Sequence, residues 1–190
     1  MASIITATTT SGLTQSADNS GVLQLASGTG NLVTVPSVTG TAMVSGNMPA
    51  FSAYLGTTQS ISSGTNTKLQ ANTEEFDTNS NYDNATNYRF TPTVAGYYQI
   101  SGQININSTA YSLTQAIIYK NGNIFKRGNV VSYTSSIGNA LGCSAVSALI
   151  YFNGSTDYVE LYGSCTGTSP TFTANIPNDN YFQGVLVRAA

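Results

Sequence analysis

The chain has 190 residues, only 7% of them charged, and a formal net charge of −2 with six basic residues. Six basic side chains are too few to form the positively charged surface that nucleic-acid binding needs, and we therefore expect no general binding of DNA or RNA. No apolar run approaches the roughly 20 residues of a membrane-spanning helix, so insertion into a membrane is not expected. The length suits one domain with an extension, and uncharged polar side chains must keep it in solution.

The chain contains no histidine. This removes the commonest general base, the usual serine and cysteine triads and the zinc sites that use histidine. Glu74 and Glu75 are adjacent, so on a strand they point to opposite faces. Asp77, Asp83 and Asp179 lack the spacing of a known calcium loop. The sequence therefore predicts no enzyme, no metal and no cofactor. Two carboxyl groups facing each other across a cleft would restore the enzyme hypothesis.

Residues 1–48 differ from the rest, because they contain no aromatic residue and a single charge, Asp18. Short apolar segments recur about every ten residues between Gly, Ser and Thr turns, which is typical of brief strands. A flexible linker is the alternative, since one copy can bury little surface. The segment Val33–Thr41 resembles N-terminal attachment segments of phage tail-fibre and head-fibre proteins. That resemblance implies that residues 1–48 bind other virion proteins.

Residues 49–190 form a second region, predicted to be a series of strands and turns without a helical period. Residues 98–106 alternate strictly between apolar and polar side chains, which predicts a half-buried antiparallel strand. Asn121-Gly122 predicts a tight hairpin. Residues 108–112 are predicted to be a turn and residues 129–139 an exposed loop.

Several motifs of this second region occur in a specific order. They are Ala50-Phe51-Ser52-Ala53-Tyr54, Phe76, Asn81-Tyr82-Asp83, Tyr88-Arg89-Phe90-Thr91, Val94-Ala95-Gly96-Tyr97-Tyr98, Lys120-Asn121-Gly122 and Phe182-Gln183-Gly184-Val185-Leu186-Val187. Together they resemble the globular head of the complement family, which shares the tumour necrosis factor jelly roll. The resemblance implies an all-β jelly-roll β-sandwich that follows an extended N-terminal attachment segment. It also implies a homotrimer, and it brings no catalytic motif.

Four tyrosines in or beside the predicted loops are the candidate contacts for a host glycan or protein. They are Tyr82, Tyr88, Tyr111 and Tyr133. Tyrosine among Asn, Ser and Thr binds such surfaces through flat apolar contact and hydrogen bonds. Each could equally be an ordinary loop residue. Lys120, Lys126 and Arg127 flank the predicted hairpin, either as solvated charges or as a dock for an acidic polymer.

The two cysteines allow a geometric prediction. If residues 140–152 and 157–162 form a hairpin closed by residues 153–155, Phe152 pairs with Thr156 and Cys143 lies opposite Cys165. Directly opposed residues are close enough for a disulfide. The alternative is two reduced thiols, which synthesis in a cytoplasm favours.

We expect a trimeric phage virion surface protein: a head fibre, a capsid decoration or a small tail-fibre or tail-tip module. Residues 1–48 anchor it to the particle and residues 49–190 present the binding head. Nothing resembles a signal peptide, which is expected of a protein made in a host cytoplasm and carried on the virion. The alternative is a secreted, extracellular bacterial adhesion or glycan-binding lectin-like domain.

Overall fold

The computed structural model describes residues 23–26, 32–35, 48–174 and 179–190, without the side chains of residues 23–26, 32–35, 111 and 133–141. The chain divides into two compact units, Met1–Gly40 and Thr41–Ala190. The predicted boundary after residue 48 stays a prediction, because residues 41–47 lie outside the described ranges.

The regular elements of the described residues are all β-strands. They are β1 (Leu23–Ala26), β2 (Leu32–Val35), β3 (Ala50–Tyr54), β4 (Gln59–Ser60), β5 (Thr67–Lys68), β6 (Thr73–Asp77), β7 (Tyr82–Asp83), β8 (Arg89–Phe90), β9 (Gly96–Lys120), β10 (Asn123–Phe152), β11 (Val159–Thr168), β12 (Thr171–Phe172) and β13 (Tyr181–Ala189). In the first unit, β1 and β2 pair with each other in antiparallel register. They confirm two of the brief strands predicted there.

The second unit is built around two very long strands, β9 and β10, which pair with each other from the Asn121-Gly122 turn to their far ends. Both turn residues have positive φ, 51° at Asn121 and 76° at Gly122. This is the backbone that a two-residue hairpin with right-handed twist requires, so the predicted hairpin is confirmed.

The strand pairings join β3–β13 into one 11-stranded sheet, which folds into two layers that we call sheet I and sheet II. The two halves of the ribbon lie in different layers. Sheet I has the order β6-β3-β13-β9-β10 and uses residues 96–107 of β9 and 141–152 of β10. Sheet II consists of β11, the remaining halves of β9 and β10, and the short strands β5 and β8 on the other edge of β11. The ribbon thus crosses from one sheet to the other, and a bulge between Ser132 and Ile137 interrupts its register there.

The predicted turn at residues 108–112 and the predicted loop at residues 129–139 are therefore wrong. Both fall inside β9 and β10, where the ribbon crosses between the sheets. The described residues contain no helix long and apolar enough to cross a membrane.

Aromatic side chains fill the space between the two sheets. Phe51 of β3 stacks on Phe90 of β8 with ring centroids 4.3 Å apart, and on Tyr82 at 5.0 Å. Phe182 meets Phe51 edge to face at 5.1 Å. Full burial of one such side chain contributes about 1.5–3 kcal/mol, and well-oriented ring pairs add to this.

The predicted alternation of residues 98–106 is also confirmed. Tyr98, Ile100, Ile104 and Ile106 are at most 1% exposed and face this core. Their polar neighbours in sequence point the other way and define the outward side of sheet I.

Candidate functional site

The outward side of sheet I carries large apolar side chains in contact with solvent. Six of them are between 44% and 58% exposed: Phe76, Tyr97, Leu149, Tyr151, Val185 and Val187. We call this set the apolar face. Contiguous exposed apolar surface is uncommon on monomeric proteins, and it marks surfaces that bind another molecule.

The strand register makes these side chains neighbours. Gln99 of β9 lies opposite Val185 of β13 on one side and opposite Leu149 of β10 on the other. Tyr97 lies opposite Tyr151, and their ring centroids are 5.4 Å apart. A groove of about 320 Å³ runs beside them, lined by Ala50, Phe51, Phe76, Gln99, Ser101, Gln183, Gly184 and Val185. The apolar face is therefore one continuous surface across several strands.

The centre of this side is uncharged, and its polar groups bind each other. The Gln99 amide donates to Ser147 Oγ at 2.6 Å, and the Gln183 amide donates to Ser101 Oγ at 3.1 Å. Charge appears at Arg188 of β13, which lies opposite Tyr97, and at the edge strand β6, where burial and the nearby Asp77 carboxylate raise the pKa of Glu74. A surface with satisfied polar groups and no central charge can be buried against another protein at little electrostatic cost.

The outward side of sheet II has a different composition. The rings of Tyr119 and Tyr162 stack there with centroids 3.9 Å apart. Next to them the Glu160 carboxylate, only 4% exposed, accepts a hydrogen bond from Lys68 Nζ at 2.6 Å. The Asn66 amide donates to the Tyr119 hydroxyl at 2.8 Å.

The same side carries a third tyrosine and two arginines. The Arg89 guanidinium lies 4.4 Å from the ring centroid of Tyr158. Arg127 donates to the Gln115 amide oxygen at 2.9 Å. We call Tyr119, Tyr158 and Tyr162, with Lys68, Arg89, Arg127 and Glu160, the tyrosine face.

Tyr162 keeps its proton at neutral pH. Burial, and secondarily the Glu160 carboxylate, raise its pKa to about 12. The hydroxyl therefore remains a hydrogen-bond donor on this face. The sequence-based choice of contact tyrosines missed Tyr119, Tyr158 and Tyr162. The parity of β11 is the signal that could have found the last two, because they alternate with the buried Val159 and Leu161.

The structure does not bring the four sequence-predicted contact tyrosines together. Tyr82 is 6% exposed, and its hydroxyl donates to the Ala71 carbonyl at 3.0 Å. Its assignment as a surface contact is therefore wrong, because the ring belongs to the core stack on Phe51. Tyr88 is partly exposed in a left-handed backbone conformation with φ of 49°, and its role stays a prediction. Tyr111 and Tyr133 lie within β9 and β10 rather than in loops, and their side chains lie outside the described part.

The predicted pairing of the cysteines is also wrong. Residues 140–152 pair with the first half of β9, and β11 pairs with its second half, so β10 and β11 do not form the predicted hairpin. Cys143 lies opposite Asn105 and Cys165 lies opposite Thr114, nine residues further along β9. Both thiols are free, Cys143 exposed and Cys165 buried.

Acidic side chains are dispersed over the described residues, where no three His, Cys, Asp or Glu side chains are grouped to hold a metal ion. Asp83 is typical of these acids, because it binds its own loop. Its carboxylate accepts hydrogen bonds from the backbone amides of Ala85, Thr86 and Asn87. These bonds, that of Thr86 foremost, lower its pKa to about 2.

Solved structures with the same fold include tumour necrosis factor and complement heads. The Eiger tumour necrosis factor of S. frugiperda superposes with a TM-score of 0.57 at 9% identity, over 75% of this chain and 93% of that one. Murine APRIL gives 0.54 at 9% identity, over 74% and 99%. The globular domain of zebrafish complement 1qA gives 0.51 at 13% identity, over 75% and 99%.

These similarities confirm the predicted fold class, an all-β jelly roll of the tumour necrosis factor and complement-head type. At such low identity they show the fold alone. No model of a protein family matches the chain, and no curated protein matches it.

Proposed function

We propose that this chain is the surface protein of a phage virion, in which three copies associate through the apolar face and residues 1–48 anchor the assembly to the particle. The heads then face outward and bind the host surface. No catalytic role is part of the proposal.

The apolar face is the observation that carries it. Leaving six large apolar side chains about half exposed in water is unfavourable, and burying them contributes roughly 25 cal/mol per Å² of apolar surface. Most soluble homo-oligomers have closed symmetry, in which equivalent copies cover each other's exposed surface. The resemblance to the complement head implies three copies rather than two.

The anchoring role rests on residues 1–48 and on the surface composition. The segment Val33–Thr41 resembles attachment segments of phage fibres, and its first residues form the strand β2, which pairs with β1. A chain with only 7% charged residues suits a protein exposed on a particle. The competing proposal, a secreted adhesion domain, shares the head but needs no particle.

The oligomeric state is tested by light scattering on the purified chain. We expect three times the chain mass of 19.8 kDa. A monomer at working concentration contradicts the proposal.

The virion assignment is tested by mass spectrometry and antibody labelling of purified particles. We expect the chain in threefold clusters on a capsid or a tail. A variant that lacks residues 1–46 should keep the folded head and lose attachment to the particle. A chain absent from particles and present in the culture medium instead supports the secreted adhesion domain.

A further inference from the structure

The basic residues of the head are concentrated on one side. Five of the six basic residues of the chain belong to sheet II or its margin: Lys68, Lys120, Lys126, Arg89 and Arg127. Two of them, Lys68 and Lys120, pair with Glu160 and Asp157. The remaining three have no ion-pair partner among the described residues. Asp83 lies opposite Arg89 in the strand register, and Lys126 lies opposite the inward-facing Ile118, so Arg127 carries most of the excess positive charge on this side.

The strand register arranges part of this charge around the stacked rings. Tyr162 lies opposite Lys68 on one side and opposite Ile117 on the other, and Ile117 lies opposite Arg127. Residues directly opposite each other share one face of a sheet. Neighbouring strands are about 4.8 Å apart, so the backbones of Lys68 and Arg127 are separated by about 14 Å across the sheet. One cationic side chain therefore flanks the tyrosine pair on each side.

The polar groups of this face donate hydrogen bonds in several directions. Lys68 Nζ has two acceptors, Glu160 Oε1 and the Asn87 carbonyl, out of the three bonds that an ammonium can donate. Arg127 makes one described hydrogen bond, to Gln115, out of the five that a guanidinium can donate. The face combines flat aromatic rings, spare donors and an excess of positive charge on β-strands that hold it rigidly.

We propose that the tyrosine face binds an anionic polysaccharide. The sugar rings lie against Tyr119 and Tyr162, and the acid groups of neighbouring sugars pair with Arg127 and Lys68. Tyrosine supplies flat contact area for such rings, and guanidinium binds carboxylate or sulfate in bidentate geometry. A span of about 14 Å between the strands that carry the flanking cations exceeds one sugar ring and therefore favours a polymer over a monosaccharide.

This inference rests on the proposed function, because it names the ligand class of the outward-facing head. The apolar face is on sheet I and the tyrosine face on the opposite side of the sandwich. Association of copies through the apolar face therefore leaves the tyrosine face open to solvent. A polymer chain can then contact more than one head of the same assembly, and linked contacts raise the overall affinity.

The test is isothermal titration of the whole chain with oligosaccharides of defined charge. Polygalacturonate fragments carry carboxylates, heparin fragments carry sulfates, and maltooligosaccharides are the neutral control. We expect binding of one or both acidic probes, weaker binding at higher salt, and no binding of the neutral probe. A preference between the acidic probes identifies the acid group. Equal binding of the neutral probe, or no binding of any probe, overturns the proposal.

Two variants locate the site. Arg127→Gln removes one charge from the tyrosine face, and Arg188→Gln removes one charge from sheet I as the matched control. Loss of a charge-assisted contact should weaken binding of the acidic probe roughly fivefold or more in Arg127→Gln, with little change in Arg188→Gln. Tyr162→Leu should also weaken binding of the acidic probe, and its relative effect should be larger at high salt, where ring contact predominates. Circular dichroism checks that this variant folds.

Equal losses in both arginine variants contradict the proposal, because they indicate general electrostatic attraction. Binding of single-stranded DNA as tight as that of the oligosaccharides, and unaffected by Tyr162→Leu, contradicts it in the same way. Light scattering on the same samples separates the two proposals. A trimer that binds no probe overturns only this inference, whereas a monomer that binds overturns only the proposed assembly.

Discussion

The two outward faces of the head are built on the same two strands, β9 and β10, and differ in what they offer a partner. On sheet I, the outward positions are Leu, Val, Tyr and Phe, with uncharged polar groups that bind each other. On sheet II, they are tyrosines interleaved with Lys, Arg and one buried Glu, together with the exposed Ile124 and Val130 of β10. A single ribbon thus supplies two surfaces of different chemistry.

Under the two proposals, this jelly roll separates self-association on sheet I from ligand binding on sheet II. Uncharged apolar surface is stabilised by burial against any well-fitting apolar surface, and a second copy of the chain can always provide one. Charged groups are costly to bury in a permanent interface, because their removal from water costs free energy that ion pairing offsets only in part. They suit a wet contact with a polar ligand, and so the two faces are expected to respond differently to substitution.

The largest expected effect is on the core that lies between the faces. Phe51→Ala removes the ring on which Phe90, Tyr82 and Phe182 pack. We expect a loss of about 3–5 kcal/mol in the free energy of unfolding, measured by urea denaturation. Phe76→Ala is the matched control, because that ring is 51% exposed on the apolar face. A control that loses as much as Phe51→Ala would mean that the apolar face contributes to the fold rather than to assembly.

The second prediction separates the faces from each other. Leu149→Glu places a carboxylate on the apolar face, at a side chain that is 57% exposed. We expect dissociation of the assembly, with a loss of about 2 kcal/mol of association free energy per subunit or more. Light scattering over a dilution series measures it. Ile124→Glu, at a 45% exposed position near the tyrosine face, should leave the assembly intact. The reverse pattern would assign the subunit contact to sheet II.

Sequence reasoning anticipated the elements whose signals are local. The alternation of residues 98–106 and the Asn121-Gly122 turn each carry their information within a few neighbours, and both are confirmed. The crossing segments of β9 and β10 are rich in Ser, Thr, Asn and Gly, which indicate turns. In the structure those residues pair across a bulged ribbon, because each segment has the other as its partner.

The candidate site could be predicted less well from the sequence, because it depends on contacts between residues that are far apart in the sequence. Tyr82 lies in a polar, turn-rich stretch, and only its stack on Phe51 and its bond to Ala71 place it in the core. The cysteine pairing failed because adjacent strands in sequence were assumed to be adjacent in the sheet. Both faces require knowledge of which strands lie side by side, and the sequence alone does not supply it.

A smaller effect concerns acid stability. The folded pKa of Asp83, about 2, lies below its ordinary value of 3.8, so its stabilising contribution is complete above about pH 4 and is lost as the pH falls towards 2. Asp83→Asn keeps the shape but weakens acceptance of the three loop amides, at a cost of about 1 kcal/mol at pH 7. In thermal melts between pH 7 and pH 2, the melting temperature of this variant should fall less below pH 4 than that of the unchanged chain. An unchanged acid profile would mean that Asp83 does not stabilise the loop beside sheet II.

Glu74, on the edge of sheet I, has a pKa that is shifted in the opposite direction. Its pKa is raised by burial and by Asp77, so its ionised form disfavours the folded state at neutral pH and the penalty disappears as the pH falls. Glu74→Gln should therefore raise the melting temperature slightly at pH 7 and leave it unchanged at low pH. Equal losses of stability at pH 7 in Asp83→Asn and Glu74→Gln would mean that the pKa values of these two carboxyl groups are not shifted in opposite directions.

The smallest expected effect concerns the cysteines, which belong to opposite sides of the comparison. Cys143 lies on the exposed side of sheet I, and Cys165 is buried in the core on sheet II. Cys143→Ser should change the free energy of unfolding by less than about 0.5 kcal/mol, both with and without a reducing agent. A disulfide between them would contribute about 2–4 kcal/mol, lost on reduction and on substitution alike. A loss of that size in oxidising buffer would mean that β10 and β11 lie closer together than their separate pairing with β9 allows.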